Sequence, residues 1–290
     1  MKKLFVIPVI ALAFLLSGSP DGVAQVLDGI YVKEHVPARK PVPYKFLREG
    51  DVMWTKRIWR VVDLREKINH SLYYPKTRIG DRMSFIDLMI WGINTEGITP
   101  YATDDDRFSQ PITRSQIEVA FGAVERPITF TDENGNEQTK NIKEEMNTSQ
   151  IQQYMLKEDW FFDKQHSMMD VRIIGICPIR FYSKDDQVAA DAGGEVTEAE
   201  IRIQPVFWIY FPEARRIFAN HEVFNEFNDA ERRTFDDVFF KRKFSSFIIR
   251  ETNVHDDRQV ARYTLGLQSL LEAETIKKKI NDYEQDLWNY

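Results

Sequence analysis

Residues 51–69 read DVMWTKRIWRVVDLREKIN, with two tryptophans, five basic side chains and a run of aliphatics in nineteen positions. The stretch fits two periods. Trp54, Ile58, Val61 and Arg65 recur at helical spacing, whereas Val52, Trp54, Ile58, Val62 and Leu64 fit alternation. The charges crowded between Asp63 and Lys67 favour a helix in the second half. A core element, a nucleic-acid grip and a protein-docking surface are three competing readings of it.

Working outward, DRMSFIDLMIWGINTEG predicts a helix that opens near Asp81 or Ser84 and stops at Gly97. TRSQIEVAF predicts a short helix. RPITFTDENGNEQTKNI reads as a hairpin turning at Asn134-Gly135, which tolerate positive φ. TSQIQQYMLKEDWFFDK is expected to be helical, capped by Thr148 or Ser149. MDVRIIGICPIRFY and IRIQPVFWIYF carry the β-branched and aromatic residues of buried sheet, and residues 206–211 suggest a strand covered on both faces. Between them, residues 183–200 read as an acidic, glycine-containing loop. DAERRTFDDVFFKRKF predicts an amphipathic helix with Phe235, Val238 and Phe239 on one side. A last helix is expected from about Asp257 to Leu287, with Ile276, Ile280, Tyr283 and Leu287 as its stripe. Scattered strands without regular alternation place the chain in the α+β class.

The ends bound where it acts. Lys2 and Lys3 precede an apolar run from Leu4 to Leu16 and small residues at Gly22 and Ala24, the pattern of a secretory signal peptide over residues 1–24. Cleavage is expected between Ala24 and Gln25. The stretch LLSGS resembles a lipoprotein box, but Ser19 stands where the lipid-bearing cysteine would be. Residues 25–50 hold Pro37, Pro41 and Pro43 and read as an extended arm, whose apolar residues suit lying along a surface of its own domain or of a neighbour. Residues 51–290 then make a single α+β domain.

Few residues carry recognisable chemistry. Phosphate loops and nucleophile elbows do not occur. HEVFN at 221 begins like a zinc-protease helix, but Asn225 replaces the second histidine. His35, His70, His166, His221 and His255 are scattered, which suits surface or structural roles. Cys177, the one cysteine, sits in VRIIGICPI and reads as a small buried hydrophobe; a nucleophile or an intermolecular bridge is the competing reading. TDDDRF offers Asp104, Asp105 and Asp106 for calcium but lacks the EF-hand spacing, so a solvated turn is expected. The aromatic C-terminus has helical rather than barrel-strand spacing. No cofactor or metal is expected.

Charge is the informative feature. Residues 31–82 contain 13 Lys or Arg against 6 acids, a segment of +7 in a chain of net charge −6. A basic front on an acidic body suits contact between copies or docking on an acidic partner. The alternative is that the front pairs with its own body. An exported acidic chain is a poor candidate for nucleic-acid binding.

DVMWTKRIWRVVDLREKIN, LYYP, FIDLMIWG and VRIIGICPI together resemble the gliding-motility GldN family, called PorN in non-gliding relatives, over the whole mature chain. The resemblance implies a periplasmic component of the type IX secretion system. It would assemble with the lipoprotein GldK (PorK) into a ring beneath the outer membrane and contact the periplasmic part of the GldM (PorM) motor protein. It brings no catalytic residues. On this reading Ile58, Val61, Val62 and Leu64 are core. Partner contacts are expected among Tyr31, Tyr44, Phe46, Trp54, Arg57, Trp59 and Arg60, since tryptophan and arginine are enriched at binding hot spots. The competing function is a periplasmic hydrolase acting on cell-wall glycans.

Overall fold

The computed structural model describes residues 35–288, apart from 124, 132–136, 144–145, 184–200, 227 and 229. The expected signal segment with its Ala24–Gln25 site, Tyr31, the expected Asn134-Gly135 turn and most of the expected acidic loop fall outside the described residues. Residues 36–290 form one compact unit, so the described part of the arm belongs with the body.

Eleven strands appear among the described residues: β1 Val52–Asp63, β2 Pro100–Tyr101, β3 Glu125–Thr131, β4 Glu137–Lys143, β5 Ile151–Asp163, β6 Met168–Ser183, β7 Ile201–Pro205, β8 Trp208–Tyr210, β9 Glu222–Val223, β10 Arg233–Thr234 and β11 Phe247–Glu251. The helices are α1 His70–Tyr73, α2 Phe85–Trp91, α3 Arg114–Ala120, α4 Phe211–Asn220, α5 Phe235–Phe240 and α6 Leu267–Trp288. The main sheet is antiparallel, in the order β11-β1-β5-β6-β8-β2, with β7 paired to the end of β6. Strands β3 and β4 form a separate hairpin, as the sequence predicts.

The opening stretch is a strand as far as Asp63, not a helix in its second half. The chain then turns, and a 3-10 turn at Lys67–Asn69 leads into the single turn of α1. Alternate side chains of β1 therefore point to opposite faces. On one face Val62 joins Phe85, Leu88, Phe211, Phe218, Phe235 and Phe239 of α2, α4 and α5. Further along that face Ile58 meets Ile248 and the α6 residues Ala273, Ile276 and Ile280. On the opposite face Trp59 packs with Cys177 and Trp208 against Tyr101 and Phe108. The ring of Phe108 comes so close to β6 that a Cβ on Gly175 would lie 2.5 Å from it, so any larger residue there would displace the ring.

Three further expectations are corrected. Residues 151–163 are strand β5 rather than helix. Its charges Lys157, Glu158 and Asp159 imitate a solvated helix face, yet the first two are buried and all three are paired within the chain. Strand β8 ends at Tyr210, and Phe211 opens α4 with Pro212 in its first turn, where a missing N–H breaks no helical bond. Trp208 and Ile209 do face different clusters. The last helix begins at Leu267, because Asp256 and Asp257 take φ of 55° and 52° at the expected start and Gly266 takes φ of 54° just before the observed one, and none of these continues a right-handed helix. Ile276, Ile280 and Tyr283 form its inner stripe, Tyr283 stacking on Trp54 at 4.9 Å. The Leu287 side chain lies outside the described residues.

Elsewhere the sequence pattern carries through. Ser84 caps α2 by accepting the Asp87 N–H, and the segment stops at Gly97 with φ 76°. Thr113 and Gln116 form a capping box on α3. Helix α5 is shorter than its segment but buries Phe235, Val238 and Phe239.

Phe85 is fully buried and touches the rings of Tyr154, Phe218, Phe235 and Phe239 at 5.0–5.2 Å between centroids. One side chain thus links α2, α4 and α5 to the sheet. Phe85→Ala should cost about 3–5 kcal/mol, the usual range for a large core truncation. Urea denaturation measures it, and a loss below about 1 kcal/mol would mean that the helices do not fold with the sheet.

Candidate interaction surface

Each basic residue of β1 meets an acid of its own chain. Arg57 makes a two-pronged pair with Asp159, at 2.6 and 2.7 Å, across the β1–β5 ladder. Lys56 reaches Glu251 at 3.0 Å. Arg60 is buried. Its Nε lies 3.2 Å from Glu158 Oε2 but out of hydrogen-bond alignment, while its Nη1 donates to Ser246 at 3.0 Å. Glu158 has no exposed surface. Arg242 also donates to it at 2.9 and 3.3 Å, and the Trp160 indole N–H donates at 2.9 Å. Burial draws the Arg60 guanidinium below its ordinary pKa, against the opposing pull of Glu158.

A second ionic knot closes the other face. The buried Trp59 donates its indole N–H to Asp106 at 2.8 Å. Arg250 donates to the same carboxylate oxygen at 2.8 Å while lying 3.7 Å over the Trp59 ring. Lys157, almost fully buried, donates to the Asp106 carbonyl at 2.5 Å and stands 3.3 Å from its carboxylate. Burial alone would raise the Asp106 pKa. The charges of Lys157 and Arg250 and the hydrogen bonds from Lys157 and Trp59 outweigh it and hold the carboxyl below its ordinary 3.8. Asp106 is thus neither a solvated turn residue nor a free cation ligand. Asp105 caps its own turn through the Arg107 N–H, and Asp104 is exposed. Among the described residues no group of His, Cys, Asp and Glu could hold a metal.

The arm lies along its own body where it is described. Val36 is buried, Arg39 pairs with Asp237 at 2.7 Å, and Tyr44 is half-buried with the Arg215 guanidinium 4.3 Å from its ring. Arg215 is itself fixed by the buried Asp236 at 2.8 and 3.0 Å. Arg172 donates to the Lys45 carbonyl. Two residues beyond Tyr44, Phe46 is 82% exposed.

The contact set expected from the sequence therefore separates. Phe46 faces solvent. Tyr44 and Trp54 are half-buried against Arg215 and Tyr283, and Arg57 is clasped by Asp159. Trp59 and Arg60 are interior. Of the histidines, the His221 ring meets the Ile217 carbonyl, His70 meets the Arg65 carbonyl and His166 meets Asp163. HEVFN begins with the short strand β9, not a helix. The Cys177 thiol is fully buried and pushed up to about 12 by that burial, out of reach of thiolate chemistry at neutral pH.

Other exposed apolar side chains are not foreseen from the sequence. Ile201 and Ile203 stand out from β7, and Leu265, Leu267, Leu270 and Leu271 stand out around the start of α6. Ile68, Tyr74 and Phe224 border an open groove. Ile201 and Ile203 correct the reading of their stretch as buried sheet, since β7 pairs only with the end of β6 and leaves them exposed, and the others fall off the helical stripe or lie in connecting segments.

Since the folded Asp106 pKa lies below its unfolded value, its contribution is present above that value and is lost as pH falls through the folded one. Asp106→Asn should therefore lower the melting temperature at pH 7, and the gap from wild type should narrow as the pH is taken below 3.8. Thermal denaturation across pH checks this, and a gap independent of pH would refute the ionic origin of the effect.

No helix among the described residues is long and apolar enough to cross a membrane. No curated protein matches the chain. A family profile described as gliding motility associated protein GldN matches residues 47–289, nearly all of the body built around β1. The chain belongs to the GldN family, and with it to the components of gliding motility and type IX secretion.

Proposed function

We propose that this protein is a non-catalytic assembly subunit of the periplasm, building a ring with the lipoprotein GldK (PorK) and other copies of itself and coupling that ring to the GldM (PorM) motor. Family membership supports the system to which it belongs. The observation that carries the assembly role is Phe46. This aromatic is 82% exposed, yet its backbone is anchored on both sides. Tyr44 and the Lys45 carbonyl are held by Arg215 and Arg172, and the Asp51 carbonyl accepts the Lys164 N–H at 2.9 Å. A large apolar side chain presented on an already ordered segment loses little entropy when a partner covers it. The buried carboxylates also suit a scaffold. Glu158 and Asp236 are each held by arginine, whereas a glycosidase needs two carboxyl groups facing a sugar.

Phe46→Asp should leave the melting temperature of the isolated subunit unchanged and abolish the large particle formed on co-expression with the lipoprotein. Tyr44→Ala should instead lower the melting temperature, because Tyr44 packs on the body. Size-exclusion chromatography with light scattering, run beside thermal denaturation, reads both outcomes. A Phe46→Asp protein that still builds full-size particles would contradict the assignment of this residue to the assembly surface. A wild-type subunit that stays a monomer or dimer with the lipoprotein would contradict the assembly role itself.

A further inference from the structure

A groove of about 890 Å³ runs between the segment 67–74 and residues drawn from 223–243. Its apolar lining includes Ile68, 57% exposed, Tyr74, 50%, and Phe224, 45%, with Val238 reaching it from α5. These side chains are displayed together rather than scattered, which marks a binding surface more than ordinary surface apolarity does.

The groove is braced from behind. Asn69, fully buried, donates to the Asp63 carbonyl at 2.7 Å and the Ser245 carbonyl at 3.0 Å, and accepts the Ser245 N–H at 3.0 Å. One amide thus ties the segment carrying Lys67 and Ile68 to the segment carrying Lys243. Phe224 is backed by the Arg82 guanidinium, 4.7 Å from its ring.

The rim has a sign. Lys67, Arg233 and Lys243 line the groove, and Glu226 is the one acid in that lining among the described residues. Arg233 is committed to Glu231 at 3.1 Å. Lys67 and Lys243 are exposed and form no salt bridge among the described residues, Lys243 acting on Glu231 only through its field. This sets them apart from Lys56, Arg57 and Arg60, whose charges are all met inside the chain. The groove therefore keeps two uncommitted cations beside an apolar lining. The Asn225 amide, which also lines the groove, donates to Glu231 at 3.2 Å.

We propose that this groove docks an acidic, amphipathic peptide segment of a partner protein, its apolar side chains seated among Ile68, Tyr74 and Phe224 and its carboxylates meeting Lys67 and Lys243. The mode is that of a peptide laid into a preformed groove, with rim charges choosing the partner's sign. This deepens the assembly role proposed above and rests on it, through residues other than Phe46.

The test uses the whole mature protein and fluorescence anisotropy with labelled synthetic peptides. One peptide places leucine and phenylalanine on one helical face and glutamate on the other, and a second replaces every glutamate by lysine. The glutamate peptide should bind saturably and more weakly as salt is raised, and the lysine peptide should not bind. Lys67→Glu with Lys243→Glu should weaken binding at least about tenfold at an unchanged melting temperature, because neither lysine braces the fold. Ile68→Ser should weaken binding without changing its salt dependence. Absence of saturable binding, equal binding of both peptides, or indifference to the two lysine reversals would overturn the proposal. Binding confined to phosphatidylglycerol vesicles, or to a peptide of residues 184–200 of this chain, would also overturn it, in favour of a lipid surface or of the chain's own acidic segment. A protein that ignores the glutamate peptide yet still builds full-size particles with the lipoprotein rejects the groove alone and leaves the assembly role standing.

Discussion

Glu158 sits in the middle of β5 with no exposed surface, and the face of the sheet around it is divided by its needs. An unpaired carboxylate there would be prohibitively unstable, so two arginines and an indole N–H converge on it: Arg60 from β1, Arg242 from the turn after α5, and Trp160 from its own strand. On one side of this ionic centre lies the aromatic cluster of α2, α4 and α5, and on the other the smaller cluster that includes α6. Replacing such a centre by apolar residues is often tolerated in proteins, whereas removing one partner is not. Its effect here is to tie β1, β5 and the α5–β11 connection to one point.

The same logic governs the opposite face. Asp106 comes from the loop between β2 and α3, and it draws in Trp59, Lys157 and Arg250 from three neighbouring strands. The loop is held down at the same place by Phe108 lying over Gly175. A segment with five basic residues and two tryptophans is thereby committed largely to the interior, leaving the surface to residues elsewhere. Other side chains are ordered by the fold but not used by it, Phe46 on the anchored arm and Lys67 and Lys243 beside the groove, and the proposed assembly role rests on these.

Much of the fold is legible in the sequence because local chemistry and tertiary structure agree. Ser84 and Gly97 bound their helix segment, Thr113 caps α3, and the Ile276–Ile280–Tyr283 stripe is buried as its spacing requires. Residues 151–163 are illegible for a definite reason. A central strand covered on both faces loses its alternation, and Lys157-Glu158-Asp159 looks solvent-facing unless Asp106, Arg60, Arg242 and Arg57 are known to wait for it. The basic front is equally ambiguous, since sequence gives the sign of a charge but not the distance to its partner. Tyr44 and Phe46 are two residues apart and alike in type, yet the positions of Arg215, Arg172 and Phe240 decide that the first is held while the second is exposed.

Strand β1 is a scaffold strand whose cations are locked by acids of the same chain, and at Glu158 that lock is most open to test. The direct measurement is the unfolding free energy of Glu158→Gln, by urea denaturation, which keeps the side chain's shape and removes its charge. Leaving Arg60 and Arg242 without their shared anion should cost about 3–5 kcal/mol. A loss below about 1 kcal/mol, with the native fold intact, would contradict it and leave the pairing of Arg60 and Arg242 with Glu158 worth no more than an exposed ion pair.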